Sequence, residues 1–221
     1  MKICIIGAGH IGATLARRFH ELGHQVSIAN SKGPETLGEV AAATGATAVD
    51  ARQAARSAQL VVVTIPMCKV PDLPADLFDG VSDEVVVIDT CNYYPQQRDG
   101  RLAAIESGLP ESRWVEQQLG RPVVKVFNNI HAEHLGAYGQ PAGTPGRIAL
   151  PVAGDDGAAK ATVMRLVEQL GFDALDAGGL DESWRQQPGS PAYAGDLDAA
   201  GLRKALLEAT PQRKPEWTAA G

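Results

Sequence analysis

Three glycines near the N-terminus are the first residues whose type and spacing point to a chemical role. A short apolar run, Ile3 to Ile6, is followed by glycines at positions 7, 9 and 12 and then by a helical pattern. Strand, tight glycine turn and helix in this order are typical of a dinucleotide site. Gly7 permits the turn together with Ala8, Gly9 lets the backbone approach a pyrophosphate, and Gly12 lets the helix pack on the strand. The free N–H groups at the helix start favour phosphate oxygens.

The residues after the second predicted strand bear on which dinucleotide binds. A site for NAD usually has Asp or Glu there, to accept hydrogen bonds from the ribose 2′-hydroxyl. This chain has Asn30, Ser31 and Lys32 instead. Two of these side chains can donate hydrogen bonds and the third supplies positive charge, which suits a 2′-phosphate. The pattern favours NADP(H) over NAD(H); the alternative is a solvated turn with Lys32 pointing away.

Two further strands end in residues that suit the nicotinamide half of the cofactor. Ligands of open α/β sheets lie across the carboxyl ends of the strands. Thr64, Ile65 and Pro66 end the fourth predicted strand and are apolar enough to line a nicotinamide ring. Asn92 follows the fifth strand, where its amide could reach a carboxamide or a substrate, or only form the turn before Tyr93.

The sixth predicted strand ends in two amides, followed by two histidines. Buried amides need partners, so Asn128 and Asn129 should contact a ligand or a neighbouring loop. His131 and His134 are spaced to share one helix face, for proton transfer, substrate orientation or plain solvation. Asn128, His131 and His134 are the candidates for a catalytic role, which the sequence does not assign. Further metal ligands are not found nearby, so no metal is predicted.

Composition narrows the class of protein. The 221 residues carry a formal net charge of -6, which argues against nucleic acid as a partner. Three cysteines without metal-ligand spacing suit a reducing compartment. The first apolar run is too short for a signal peptide, and no run approaches the length of a membrane span. We expect a soluble cytoplasmic protein that acts on a small molecule.

Short β-branched runs alternate with helical patterns, which predicts an α/β fold with a doubly wound parallel sheet. Asp50 and Asp196 are predicted to cap helices, and the polar tail from Pro211 is predicted to fray apart from Trp217. We divide the chain into a nucleotide-binding domain, residues 1–150, and a small C-terminal lobe, residues 151–221. Strands are predicted at residues 2–6, 25–29, 46–49, 60–64, 85–89, 123–127, 148–152 and 173–176. Helices are predicted at residues 9–22, 34–44, 50–57, 99–107, 111–119, 131–138, 156–170 and 197–209.

Seven motifs carry a resemblance to a known family, and they run from residue 1 to about residue 183: GAGHIG, NSKGPETL, VVVTIP, DTCNYYPQ, KVFNNI, LPVAGDD and LDAGGLDES. Together they resemble the NADPH-dependent deazaflavin (coenzyme F420) reductases and related dinucleotide-binding oxidoreductases. The resemblance implies a Rossmann domain, a smaller C-terminal lobe, and a flat acceptor, deazaflavin or flavin, stacked on the nicotinamide between them.

The resemblance also implies roles for individual residues. Gly7, Gly9, His10, Ile11 and Gly12 would hold the pyrophosphate, and Asn30, Ser31 and Lys32 the 2′-phosphate. Thr64, Ile65 and Pro66 would flank the nicotinamide, and Asn128, Asn129 and Ile130 would line the acceptor pocket.

The sequence departs from that family in two places. Asn128 stands where members can carry His, and the sequence after Ser183 does not resemble their apolar C-terminal helix. Two other functions stay open. One is an NADPH-dependent imine or carbonyl reductase related to pyrroline-5-carboxylate reductase, and the other is an NADP(H)-sensing protein without turnover. A homodimer is a further expectation.

Overall fold

A parallel six-stranded sheet forms the centre of the computed structural model, which describes residues 1–219. Its strand order is β3-β2-β1-β4-β5-β6. The strands are β1 (Lys2–Ile6), β2 (Gln25–Ala29), β3 (Thr47–Ala48), β4 (Leu60–Val63), β5 (Val86–Asp89), β6 (Val124–Lys125), β7 (Ala149–Val152) and β8 (Asp173–Asp176). The α-helices are α1 (His10–Glu21), α2 (Gly38–Thr44), α3 (Ala51–Ser57), α4 (Ala103–Glu106), α5 (Glu111–Leu119), α6 (Ala132–Ala137), α7 (Gly157–Gln169) and α8 (Ala199–Glu208).

The strand order confirms the predicted doubly wound α/β fold, because two βαβ halves meet between β1 and β4. In register, Ile6 of β1 lies opposite both Ala29 of β2 and Val63 of β4. The carboxyl ends of these strands therefore meet at one edge of the sheet, which we call the carboxyl edge. Every residue of β4 is buried, as expected for a strand covered on both faces.

The second sheet, β7 with β8, is joined to the first through β6. Lys125 and Ala153 exchange two backbone hydrogen bonds in an antiparallel bridge. Leu150 of β7 and Val163 of α7 belong to the same apolar core as Ile3 of β1. The division of the chain at residue 150 stays a prediction. Within residues 1–219, no helix is both long and apolar enough to cross a membrane.

Several predicted elements are shorter than expected, each for a local reason. The predicted strand 123–127 is only β6, and Phe127 has a φ of 62°, which extended backbone does not allow. The predicted helix 34–44 is split into a 3₁₀ turn, Pro34–Thr36, and α2. The predicted helix 99–107 reduces to α4, which follows Gly100 at a φ of 65°.

One of the two predicted helix caps is confirmed and the other is wrong. The carboxylate of Asp50 accepts hydrogen bonds from the N–H groups of Arg52 and Gln53 at the start of α3. Asp196, however, has a φ of 45° and lies outside α8. Asp198 caps α8 instead, accepting from the N–H of Gly201 at 2.8 Å.

The C-terminal tail was predicted to fray, and this prediction is wrong. Arg213 forms a 2.6 Å ion pair with Glu111, a fully buried carboxylate at the start of α5. The Nε2 of Gln96 donates hydrogen bonds to the carbonyl groups of Pro215 and Thr218. The Trp217 ring contacts both Tyr94 and Tyr193. The tail is therefore anchored at the carboxyl edge by charge, hydrogen bonds and packing.

The Arg213–Glu111 pair generates a test of this anchoring. Arg213→Met should lower the free energy of unfolding by about 3 kcal/mol, because it leaves a buried carboxylate without its partner. Burial already raises the pKa of Glu111 above its ordinary value, against the attraction of Arg213 and Lys125. Without Arg213 that pKa rises further, so the folded state holds the proton more tightly than the unfolded chain. The destabilisation should therefore be smaller at pH 5 than at pH 8.

Urea unfolding at the two pH values measures this effect. Arg203→Met, on the exposed face of α8, is the matched control and should change stability little at either pH. A destabilisation by Arg213→Met that does not grow between pH 5 and pH 8 would show that the pair is not what anchors the tail.

Candidate functional site

The glycine turn is shaped by a close backbone approach. Gly7 has a φ of 119°, and its N–H donates to the carbonyl of Ala29 at 2.9 Å. A Cβ on Gly7 would overlap the carbonyl oxygen of Thr64, and a Cβ on Gly12 would overlap the carbonyl oxygen of Gly7. These two glycines are therefore required by packing within the protein, since every other residue type would push β1, α1 and β4 apart.

Gly9 differs from both, because the space beside it is open. Apart from Gly9 itself and its two chain neighbours, no atom of the described residues lies within 4 Å of the position that a Cβ would take. Gly9 is the N-cap of α1, and the first helical hydrogen bond runs from the N–H of Ala13 to its carbonyl. The N–H groups of His10, Ile11 and Gly12 therefore have no acceptor within the helix, and the first turn holds no acidic residue. This geometry fits a pyrophosphate.

The predicted 2′-phosphate turn is ordered by its own asparagine. The Nδ2 of Asn30 donates to Thr36 Oγ1 at 2.9 Å, and its Oδ1 accepts from the N–H of Lys32 at 2.9 Å. Asn30 thus shapes the turn, while the side chains of Ser31 and Lys32 are exposed. Glu35 is not among the predicted residues of this turn, because it lies beyond the strand end where an acid for the ribose is expected. Its carboxylate folds back beside Gly33.

The predicted nicotinamide wall lies at the carboxyl edge, beside the glycine turn. The N–H of Thr64 donates to the carbonyl of Ile6, which continues the pairing of β4 with β1. Val63 pairs with Asp89 in the parallel register of β4 and β5. Residues 64–66 and 90–92 therefore leave the sheet side by side, and Ile65, Pro66 and Asn92 are all partly exposed.

The two amides after β6 have protein partners rather than an open cleft. Asn128 is 4% exposed, and its Nδ2 donates to the carbonyl of Gln186 at 2.7 Å. The Nδ2 of Asn129 donates to the carbonyl of Ala192, and its own carbonyl accepts from the N–H of Ala194. Asn128, Asn129 and Ile130 are all buried. We call residues 186–196 the covering segment. The sequence predicted that the two amides contact either a ligand or a neighbouring loop, and in the structure this segment is the loop that they contact.

The two histidines lie together at the start of α6. His131 is the N-cap residue, and its ring centroid is 5.3 Å from that of His134. The His134 ring stacks on Tyr138, and its Nδ1 lies 2.5 Å from Oδ2 of Asp196 in the covering segment. His131 is exposed, whereas His134 bridges α6 to that segment. Both histidines therefore lie at the rim of the carboxyl edge, with His134 already engaged by Asp196.

A buried charged cluster supports this edge from below, and the sequence analysis missed it. Lys125 of β6 and Asp89 of β5 are both fully buried, with 3.2 Å between Nζ and Oδ2. Lys125 also donates to the carbonyl of Cys91, and Asp89 accepts from Ser112 Oγ. The sequence feature that could have predicted this cluster is a lysine and an aspartate within otherwise apolar strands. Burial and the Asp89 charge hold the pKa of Cys91 well above its ordinary value, so its thiol stays protonated.

Comparison with known proteins agrees with this fold. Residues 2–93 match the family model described as NADP oxidoreductase, coenzyme F420-dependent. The hypothetical protein SMa0349 of Sinorhizobium meliloti is 32% identical, with 88% of this chain and 93% of that chain covered and a TM-score of 0.73. A candidate F420-dependent NADP reductase of Arthrobacter sp. FB24 is 25% identical, with coverage of 81% and 86% and a TM-score of 0.66.

One curated relative shares a shorter stretch. The Escherichia coli (strain K12) protein YjhV is 48% identical over 86 residues, which is 39% of this chain and 56% of YjhV. The match therefore spans little more than half of that relative.

The fold, the glycine turn and these comparisons define an NADP-dependent oxidoreductase. More narrowly, the chain belongs to the family of NADP oxidoreductases described as coenzyme F420-dependent.

The open space at Gly9 generates a second prediction. Gly9→Val should abolish NADPH binding because its side chain would fill the space left for the pyrophosphate, while folding should be unaffected. Gly157→Val is the matched control, since Gly157 also begins a helix with open space around it but lies on α7. Fluorescence titration with NADPH and thermal melting measure the two effects. A Gly9→Val protein that still binds NADPH would show that the pyrophosphate lies elsewhere.

Proposed function

We propose that this protein transfers hydride between NADP(H) and a flat conjugated acceptor, a deazaflavin or a flavin. The observation that carries the proposal is the open, positively polarised helix start at Gly9, next to the partly exposed wall of Ile65, Pro66 and Asn92. The family description supports a deazaflavin as the first acceptor to test.

Binding of the cofactor would use three groups of residues. The N–H groups at the start of α1 would hold the pyrophosphate, with Ala8 and His10 at the turn. Ser31 and Lys32 would meet the 2′-phosphate in a turn that Asn30 holds in shape. Thr64, Ile65 and Pro66 would flank the nicotinamide.

The residues of the carboxyl edge suit positioning better than proton transfer. Bound NADPH would supply the hydride, and the protein would have to orient it and exclude water. Asn92, Asn128 and Asn129 can donate hydrogen bonds from their amides but are poor acids. Asn128 and Asn129 lie beneath the covering segment, so an acceptor that touches them or the buried Ile130 beside them would have to displace part of that segment. His131 and His134 would adjust affinity from the rim.

Cofactor choice provides a direct test. Lys32→Ala should weaken NADPH binding roughly tenfold and leave NADH binding nearly unchanged, because only NADPH carries the 2′-phosphate. Lys204→Ala, on exposed α8, is the matched control. Both cofactors can be titrated by fluorescence. Equal affinity of the unmutated protein for NADPH and NADH would contradict this assignment.

Acceptor choice provides a test of the reaction itself. Purified protein with NADPH should reduce coenzyme F420 or FMN faster than quinones or cyclic imines. Cys91→Ala and the double variant His131→Ala, His134→Ala should each keep kcat within about tenfold, because no protein acid is needed. A thousandfold loss in the histidine variant, with NADPH binding intact, would indicate an imine or carbonyl reductase. Absence of turnover with every acceptor would indicate an NADP(H)-sensing protein.

The cytoplasmic location and the homodimer stay predictions from the sequence. Size-exclusion chromatography coupled to light scattering would measure the second.

A further inference from the structure

A chain of three side-chain amides links the covering segment to the carboxyl edge. The Nε2 of Gln186 donates to Oδ1 of Asn128 at 3.0 Å and to the carbonyl of Pro151 at 3.2 Å. The Nδ2 of Asn128 donates to the carbonyl of Gln186 and to Oδ1 of Asn92. The Nδ2 of Asn92 donates to the backbone carbonyl of Asn128 at 2.8 Å.

Donor counting shows what this chain leaves over. Each side-chain amide has two N–H hydrogens. Gln186 and Asn128 use both of theirs on acceptors inside the protein. Among residues 1–219, Asn92 uses one, so one of its N–H groups remains without a partner. Asn92 is also partly exposed, whereas Asn128 and Gln186 are buried.

The same bonds fix which way the Asn92 amide points. Its oxygen faces a donor of Asn128 and its nitrogen faces a carbonyl of Asn128. A half-turn of the amide would set oxygen against oxygen and nitrogen against nitrogen, and both bonds would be lost. The bond to the Asn92 oxygen depends on the Asn128 side chain, and that amide is oriented by the backbone carbonyl and the Nε2 of Gln186. The bond from the Asn92 nitrogen goes to the Asn128 backbone.

Burying the Gln186 side chain is energetically unfavourable for one of its atoms. It is fully buried, and its Oε1 has no hydrogen-bond partner among residues 1–219. A methionine of similar length would avoid an unpaired buried oxygen. The two donors of Gln186 are therefore the feature that distinguishes it from an apolar residue at this position.

We propose that Gln186 is a positioning residue, which acts through Asn128 to fix the Asn92 amide so that one N–H faces the nicotinamide or acceptor. This proposal rests on the proposed function. Gln186 lies outside residues 2–93, which match the family model. The proposal therefore assigns a role in the site to the C-terminal part of the chain.

The free protein offers a test that needs no turnover. The side-chain amide signals of Asn92 in a ¹⁵N–¹H NMR spectrum can be assigned by their loss in Asn92→Ala. In Gln186→Met we expect the two Asn92 proton signals to move toward each other, because the hydrogen-bonded and free positions are averaged. Gln187→Met is the matched control, since the adjacent Gln187 is 6% exposed and contacts Arg213 instead. Unchanged Asn92 signals in Gln186→Met, or an equal change in Gln187→Met, would overturn the proposal.

Kinetics with coenzyme F420 provide the second test. Gln186→Met should lower kcat about tenfold or more while the Kd of NADP⁺ changes less than threefold. In an Asn92→Ala background the same change should have less than a twofold further effect. Full additivity of the two substitutions would overturn the proposed action of Gln186 through Asn128.

If Gln186→Met does not fold, Asn128→Leu is the second variant. It removes the amide that lies between Gln186 and Asn92, and it should shift the Asn92 signals in the same way. Failure of the unmutated protein to reduce any acceptor would reject the proposed function, whereas the NMR result would still decide the role of Gln186.

Discussion

The close approach of three backbone segments at Gly7, Gly12 and Thr64 is the constraint on which the rest of the site depends. The carbonyl of Gly7 occupies the space that a side chain at position 12 would need, and the carbonyl of Thr64 occupies that at position 7. This contact sets the angle at which α1 leaves β1, and with it the direction of the free N–H groups. Gly9 lies between the two contacts but makes neither. The proposed pyrophosphate, rather than packing among residues 1–219, would account for a glycine at this position.

The sequence predicted best what depends on neighbours along the chain. The glycine turn, the apolar runs of β4 and β5 and the Asp50 cap all follow from residues a few positions apart. Asp196 was misassigned because the same local rule applied equally well to Asp198, and only tertiary contacts choose between them. The partners of Asn128 and Glu111 could not be predicted, since they lie 58 and 102 residues away. Such contacts leave no periodic trace in a single sequence.

The carboxyl edge concentrates polar groups that are costly to bury. Lys125, Asp89 and Glu111 are fully buried, yet each is paired or accepts hydrogen bonds. Burial and the bond to Tyr94 also raise the pKa of Tyr193 in the covering segment. Replacing buried ion pairs with apolar residues of similar size is often neutral or stabilising, so burial of these charges is weak evidence for stability. What the polar groups add is orientation, because directional bonds hold the loops after β5 and β6 in one arrangement.

The covering segment changes how the acceptor side of the site has to be understood. By resemblance, Asn128, Asn129 and Ile130 would line the acceptor pocket, but here all three are buried, and residues 186–196 contact the first two. Ala194 and Asp196 have φ angles of 53° and 45°, in a region that side chains rarely adopt. The surrounding contacts, from Asn129, His134 and Tyr94, hold this conformation in place. On the proposed function, an acceptor would approach the nicotinamide from the side of Ile65, Pro66 and Asn92, because contact with Asn129 would require the segment to move.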